Sequence, residues 1–273
     1  VRGIGGGVFD GVSFENKQNG TDLYRFMVNL RLLLPEIFAS QLLPEALRNI
    51  DSFLWLDSDL IVYGNLSDLW TIAAAHPNQR MIGVDLHYDH SNPNYLAVAE
   101  EVPMELEASS TISGGVVFWD IRQIIEDCRA IRRNVFADTI SQIIDSRLDE
   151  MGLSLSDGQS AAGIYNYSTE EPVFTKYAYE TLRRSAPNEP FCWFPLAYNV
   201  AKISHLPFFE GKTDDIVIFH WDSMIKPWDF RATVLRPDYL YTPQAVKLFK
   251  KQVRSWIGIA EELNCAIKVR VTF

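Results

Sequence analysis

At 273 residues with 47% hydrophobic content, the chain is long enough to bury one large core or two small ones. Its formal charge of −10 argues against nonspecific nucleic-acid binding, which needs clustered Lys and Arg. The cysteines Cys128, Cys192 and Cys265 lack metal-ligand spacing, so neither a zinc site nor a disulfide framework is expected.

The chain begins with Val1 rather than Met, as an excised or incomplete sequence would. No signal peptide is visible, and no apolar stretch is long enough to span a bilayer. The glycine-rich run Gly3-Ile4-Gly5-Gly6-Gly7 lacks the Lys-Ser/Thr of a phosphate loop and the G-x-G-x-x-G spacing, so it reads as a flexible, truncated end. Sequons at Asn19, Asn65 and Asn166 tilt the expected location towards the ER or Golgi lumen over a bacterial cytoplasm.

Thr21 is placed to cap a helix through Leu33, with Tyr24, Phe26, Met27, Leu30, Leu33 and Leu34 giving an apolar stripe. The short apolar run Phe53 to Leu56 then reads as a strand covered on both faces. Alternation along a strand continuing through Val62 puts Asp57 and Asp59 on one side and Ser58 on the other. Two carboxylates where a buried strand meets solvent suit a hard divalent cation; the alternative is a pair of solvated loop groups.

Asp68 to Ala75 reads as a helix, Arg80 to Asp85 as a strand, and Gly115 to Trp119 as a strand passing into a helical region through Arg133. Phe136 to Met151 continues helically, Ser154 to Tyr167 is loop-like, and Glu170 to Leu182 is helical. Ile216 to Phe219 is a second apolar strand and ends in His220. That histidine suits a metal through a neutral ring nitrogen, or is simply hydrogen-bonded at a strand end. Lys226 is either a surface lysine or a point charge for a phosphate oxygen, with Pro227 stiffening the turn that presents it. Pro243 to Leu263 reads as an amphipathic helix opened by proline. The alternation predicts one α/β domain with a mainly parallel central sheet flanked by helices.

Taken together, these segments resemble the family 8 retaining glycosyltransferases. Arg31-Leu32-Leu33-Leu34-Pro35 resembles an arginine-bearing helix ending in Leu-Pro, and Phe53 to Val62 the Leu-Tyr-Leu-Asp-x-Asp strand. Leu66 to Trp70 resembles the helix that follows. Ile112 to Asp120 is similar to a Phe-Asn-x-Gly-Val strand, Trp193 to Asn199 to a segment ending in an aromatic and Asn, and His220 to Trp228 to a His-x5-Lys-Pro-Trp signature. The resemblance runs from about Asp22 to Trp228, in family order.

It implies a GT-A-type single domain over residues 1–273, short of the N-terminal units that supply much of a nucleotide-base pocket. It implies transfer of a sugar from a UDP-sugar donor to a carbohydrate or glycoconjugate acceptor, with Mn2+ or else Mg2+. Asp57, Asp59 and His220 would bind the metal, and Lys226 the diphosphate, with Trp228 closing that signature. Arg31 and Asp85 would line the donor or acceptor side, and Ser113 and Gly114 would approach the donor sugar. Glu170 and Glu171 best match the acidic box beside the anomeric carbon, ahead of Asp157-Gly158-Gln159. Two departures stand out: Ser113 replaces the family's Asn, and Pro172 removes a backbone N–H from the acidic box. They motivate a rival reading as a noncatalytic binding module. A metal-dependent nucleotidyltransferase, which also uses paired carboxylates, is the other.

Overall fold

The computed structural model describes residues 30–40, 43–85, 100–102, 111–151, 170–201, 208–209 and 212–220, with a few positions between 247 and 262. A 3-10 turn at Leu30–Leu33 leads into α1 (Leu34–Ala39), followed by α2 (Glu45–Arg48), β1 (Phe53–Leu56), β2 (Leu60–Val62) and α3 (Ser67–Ala75). After β3 (Met81–Asp85) and β4 (Glu100–Val102) comes β5 (Ile112–Trp119), then α4 (Ile121–Ile131), α5 (Val135–Met151) and α6 (Glu170–Ser185). Strands β6 (Phe191–Trp193) and β7 (Ile218–His220) end the described strands.

Buried at every position, β5 takes the centre of a three-stranded sheet ordered β1-β5-β3. Both neighbours run antiparallel to it, with Phe53 and Met81 each opposite Trp119. The other ladders, β2 with β7 and β4 with β6, are antiparallel too. Among the described residues the parallel contact is a bridge between Val200 and Phe219. The expected mainly parallel sheet is therefore corrected. β1, α3 and β3 do make the same-direction crossover that alternation predicts, but β5 inserts between the two strands in the opposite sense. Alternation fixes which strands share a direction and leaves open which become neighbours.

Two further readings change. β1 is half-buried rather than covered on both faces, and it lies at the edge of the sheet that the described residues form. Leu34-Pro35 does not end a helix: Pro35 sits in the first turn of α1, where its missing N–H is no loss. The Thr21 cap, the Gly3 to Gly7 run and most of the Pro243 to Leu263 segment lie outside the described residues.

Helices α5 and α6 cover the sheet because their apolar residues recur at helical spacing. Phe136, Ile140 and Ile144 line one stripe, and Val173, Phe174, Tyr177, Ala178 and Leu182 the other. Trp119 of β5 meets Phe136 and Phe174 edge-on, at centroid distances of 5.7 and 5.0 Å, and Phe53 of β1 stacks on it at 5.7 Å. Asn134 accepts from the N–H groups of Phe136 and Ala137 at the start of α5, and donates to Leu32 O at 2.9 Å and Glu36 Oε1 at 3.0 Å. That one amide anchors the Arg31 segment to the helical layer.

α4 closes with Arg132 in the left-handed region, at φ 59°. Its N–H bonds Arg129 O, and that of Arg133 reaches Cys128 O, the paired pattern that normally uses glycine. Arg132→Gly is expected to raise stability by about 1 kcal/mol, read as a higher urea midpoint at unchanged slope. A lowered midpoint would show that the arginine side chain contributes more than its backbone costs.

Candidate metal centre

Asp57 precedes a turn and Asp59 lies within it, so the two do not share one continuous strand. The chain leaves the β5 ladder after Leu56, although the Asp57 N–H still bonds Gly115 O at 3.0 Å, and joins β7 at Leu60. Pairing of Leu60 with His220 sets the imidazole beside Asp59. His220 Nε2 lies 3.2 Å from Asp59 Oδ1 and 3.8 Å from Asp57 Oδ2. One ligand atom from each of the three residues lies within 4.8 Å of the others, the one such metal-ligand group among the described residues.

The donor set fits a divalent cation. Two carboxylate oxygens converge on a ring nitrogen in a pocket where His220 is 3% exposed. Hard oxygens with one imidazole are the set that takes a small dication.

His220 is held from behind. Its Nδ1 is 2.9 Å from Asn199 Oδ1, and Asn199 Nδ2 donates to Ser113 Oγ at 2.6 Å. Val200 N–H bonds Ile218 O at 3.1 Å and His220 N–H bonds Val200 O at 3.2 Å, so the Asn199 backbone runs alongside β7. The Cε1–Nδ1 edge of the ring lies against Gly115, whose missing side chain leaves the space: a Cβ there would collide with both atoms.

Among the described residues, Arg31 supplies the nearest fixed positive charge. Its guanidinium bonds Asp57 Oδ1 at 3.3 Å, contacts Gly114 O and Glu170 Oε1 closely, and lies 5.5 Å from the centre of the Trp55 ring. Trp55 Nε1 donates to the same Asp57 oxygen at 2.8 Å. Glu171 Oε1 accepts from Gly114 N–H at 2.9 Å, so both backbone groups of Gly114 are taken by side chains.

Glu170, at the start of α6, is 1% exposed, and its Oε2 has no hydrogen-bond partner among the described residues. Burial pushes its carboxyl from an ordinary 4.5 up to about 7; Arg31 opposes the rise, and Glu171 and Asp57 add to it. Asp85 lies further along, opposite Ile112, where its Oδ1 accepts from Thr111 N–H at 3.2 Å.

The structure thus gathers Asp57, Asp59 and His220, and sets Arg31, Glu170, Glu171 and Gly114 beside them. Ser113 is buried behind the histidine with its hydroxyl oxygen engaged by Asn199. Lys226, Trp228 and the Asp157-Gly158-Gln159 box lie outside the described residues. Asn199 and Gly115 escaped the sequence reading as site residues. Asn199 closes one motif-like segment and Gly115 lies inside another, which was the available signal. A cleft of about 280 Å³ between α4, α5 and α6 contains none of these residues. Its central charges are already paired, with Arg80 to Asp127 at 3.2 Å and Tyr177 OH donating to Asp127 at 2.7 Å. No helix among the described residues is long and apolar enough to cross a membrane.

No protein-family model and no curated protein matches the chain. Among solved structures it is similar to WbbM, a bifunctional glycosyltransferase, at 14% identity and TM-score 0.40, over 82% of this chain and 37% of that one. It is also similar to the apo form of the glycosyltransferase GlyE of Streptococcus pneumoniae TIGR4, at 16% identity and TM-score 0.31, covering 85% and 46%. Mouse xyloside xylosyltransferase 1 matches at 12% identity and TM-score 0.35, covering 74% and 65%. The chain spans less than half the length of the WbbM and GlyE chains. At these scores the likenesses do not place it in a family.

Gly115→Ala is expected to push the His220 ring out of place and weaken Mn2+ binding roughly tenfold or more, measured by electron paramagnetic resonance of free Mn2+. Unchanged affinity in the folded variant would show that the ring is not confined by Gly115. The raised Glu170 carboxyl makes a second prediction. Its stabilising contribution is complete below pH 4.5, where folded and unfolded chains are both protonated, and is lost as pH rises through about 7. Relative to Glu170→Gln, the wild type should lose on the order of 3 kcal/mol across that window. Parallel stability-versus-pH curves for the two proteins would refute the elevated value.

Proposed function

We propose that this chain is a metal-dependent retaining glycosyltransferase of the family 8 kind, which moves a sugar from a UDP-sugar to a hydroxyl of a carbohydrate or glycoconjugate acceptor. The observation that carries the reading is the convergence of Asp57, Asp59 and His220 from strands remote in sequence. These are the residues that the ordered motifs single out for a cation.

Asp57, Asp59 and His220 would hold the divalent ion, Mn2+ by preference, and when bound it supplies Lewis-acid charge to a departing diphosphate. Arg31 offsets negative charge at the carboxylates and fixes the Asp57 rotamer through a charge-assisted bond. Glu171 and Arg31 together pin Gly114, the backbone position where the donor sugar would approach. Lys226 is assigned the diphosphate on the strength of its motif.

Glu170 is ill suited to attack an anomeric carbon, because its carboxyl is buried, tied to Arg31 and only partly ionised near pH 7. We therefore favour front-face attack by the acceptor as the route to retention, with Glu170 holding Arg31 in place.

Calorimetric titration of UDP is expected to show binding with Mn2+ and little without it. Asp57→Asn and Asp59→Asn should each lower Mn2+-dependent UDP-sugar hydrolysis by at least about a hundredfold. Hydrolysis retained in both variants would sink the assignment.

A further inference from the structure

We propose that Asn199 and Ser113 are positioning residues that commit His220 to presenting Nε2 to the cation. The inference rests on the metal-binding role proposed for His220. All three side chains are buried, at 1%, 1% and 3% exposure, so water does not offer competing partners. The chain of contacts has a direction. Asn199 Nδ2 donates to Ser113 Oγ, which leaves the amide oxygen facing His220 Nδ1. A ring that gives its Nε2 lone pair to a cation carries its proton on Nδ1, and an amide oxygen, which only accepts, is the partner that proton needs. Nε2 is the atom that faces Asp59 and Asp57.

Gly115 leaves room for the Cε1–Nδ1 edge of the ring, Asn199 faces its Nδ1, and Ser113 anchors the far end of the Asn199 amide. The serine at 113, a departure from the motif at a position expected near a donor sugar, thereby has a role inside the protein. Outer partners of this kind orient a ligating histidine and raise its basicity.

The test compares Asn199→Leu, Asn199→Asp and Ser113→Ala with the wild type, each checked for folding by circular dichroism. Asn199→Leu removes the acceptor and should weaken Mn2+ binding by roughly 10- to 100-fold. Asn199→Asp keeps an acceptor, with the Ser113 hydroxyl now donating, and should stay within about threefold of wild type. Ser113→Ala removes the anchor at the far end of the amide and should fall between them.

In Zn2+-loaded, 15N-labelled protein, the His220 Nδ1–H signal should be slowly exchanging in wild type and Asn199→Asp, and lost in Asn199→Leu. Wild-type Mn2+ affinity together with a retained Nδ1–H signal in Asn199→Leu would overturn the proposal while leaving the metal centre intact. If that variant does not fold, the same two results in Ser113→Ala overturn it equally. A wild-type protein that takes up neither ion overturns the metal centre itself, and this inference with it.

Discussion

The arrangement around the candidate site depends on one buried cation, the Arg31 guanidinium. It joins the end of β1 through Asp57, the centre of the sheet through Gly114, and the start of α6 through Glu170. Without it, Asp57, Glu170 and Glu171 would crowd negative charge into a space of low polarisability, where each uncompensated charge is expensive. The cost is only partly met, since Glu170 remains harder to ionise than an ordinary glutamate. Arg31 is itself held in place: Asn134 grips the Leu32 carbonyl, and the Trp55 ring lies alongside the guanidinium. The helical layer, the sheet and the carboxylates therefore share a single electrostatic joint.

Much of this was legible in the sequence, for reasons that differ by element. The β5 core strand and helices α5 and α6 announce themselves because burial imposes a period on apolar residues. Asp57, Asp59 and His220 were legible because each sits where an apolar run stops, the one place a strand can offer a polar side chain without burying it unpaired. Direction within the sheet was not legible: nothing in the composition of β5 distinguishes an antiparallel insertion between β1 and β3 from a parallel neighbour.

Contacts that depend on absence or on geometry were hidden too. The importance of Gly115 lies in an atom it lacks, which matters only once His220 is known to lie across it. Asn199 is one asparagine among many until the parallel bridge between Val200 and Phe219 puts it behind the imidazole. Asp57 and Asp59 were assigned to one face of a strand by alternation, whereas a turn brings them together. The shared position was right and the mechanism was wrong.

The short ladder between β2 and β7 has a consequence for how the molecule assembles. Asp59 and His220 are 161 positions apart in the chain, yet only three residue pairs zip their strands together. Closing so long a loop costs conformational entropy that three pairs repay poorly, so this corner is expected to form late in folding and open early in unfolding. An ion gripped from both sides would act as a reversible staple, favouring the closed chain in proportion to its concentration. The residues that hold the ion would then also report whether the chain is properly folded, and removing it with a chelator would loosen the seam between distant halves of the protein along with the chemistry.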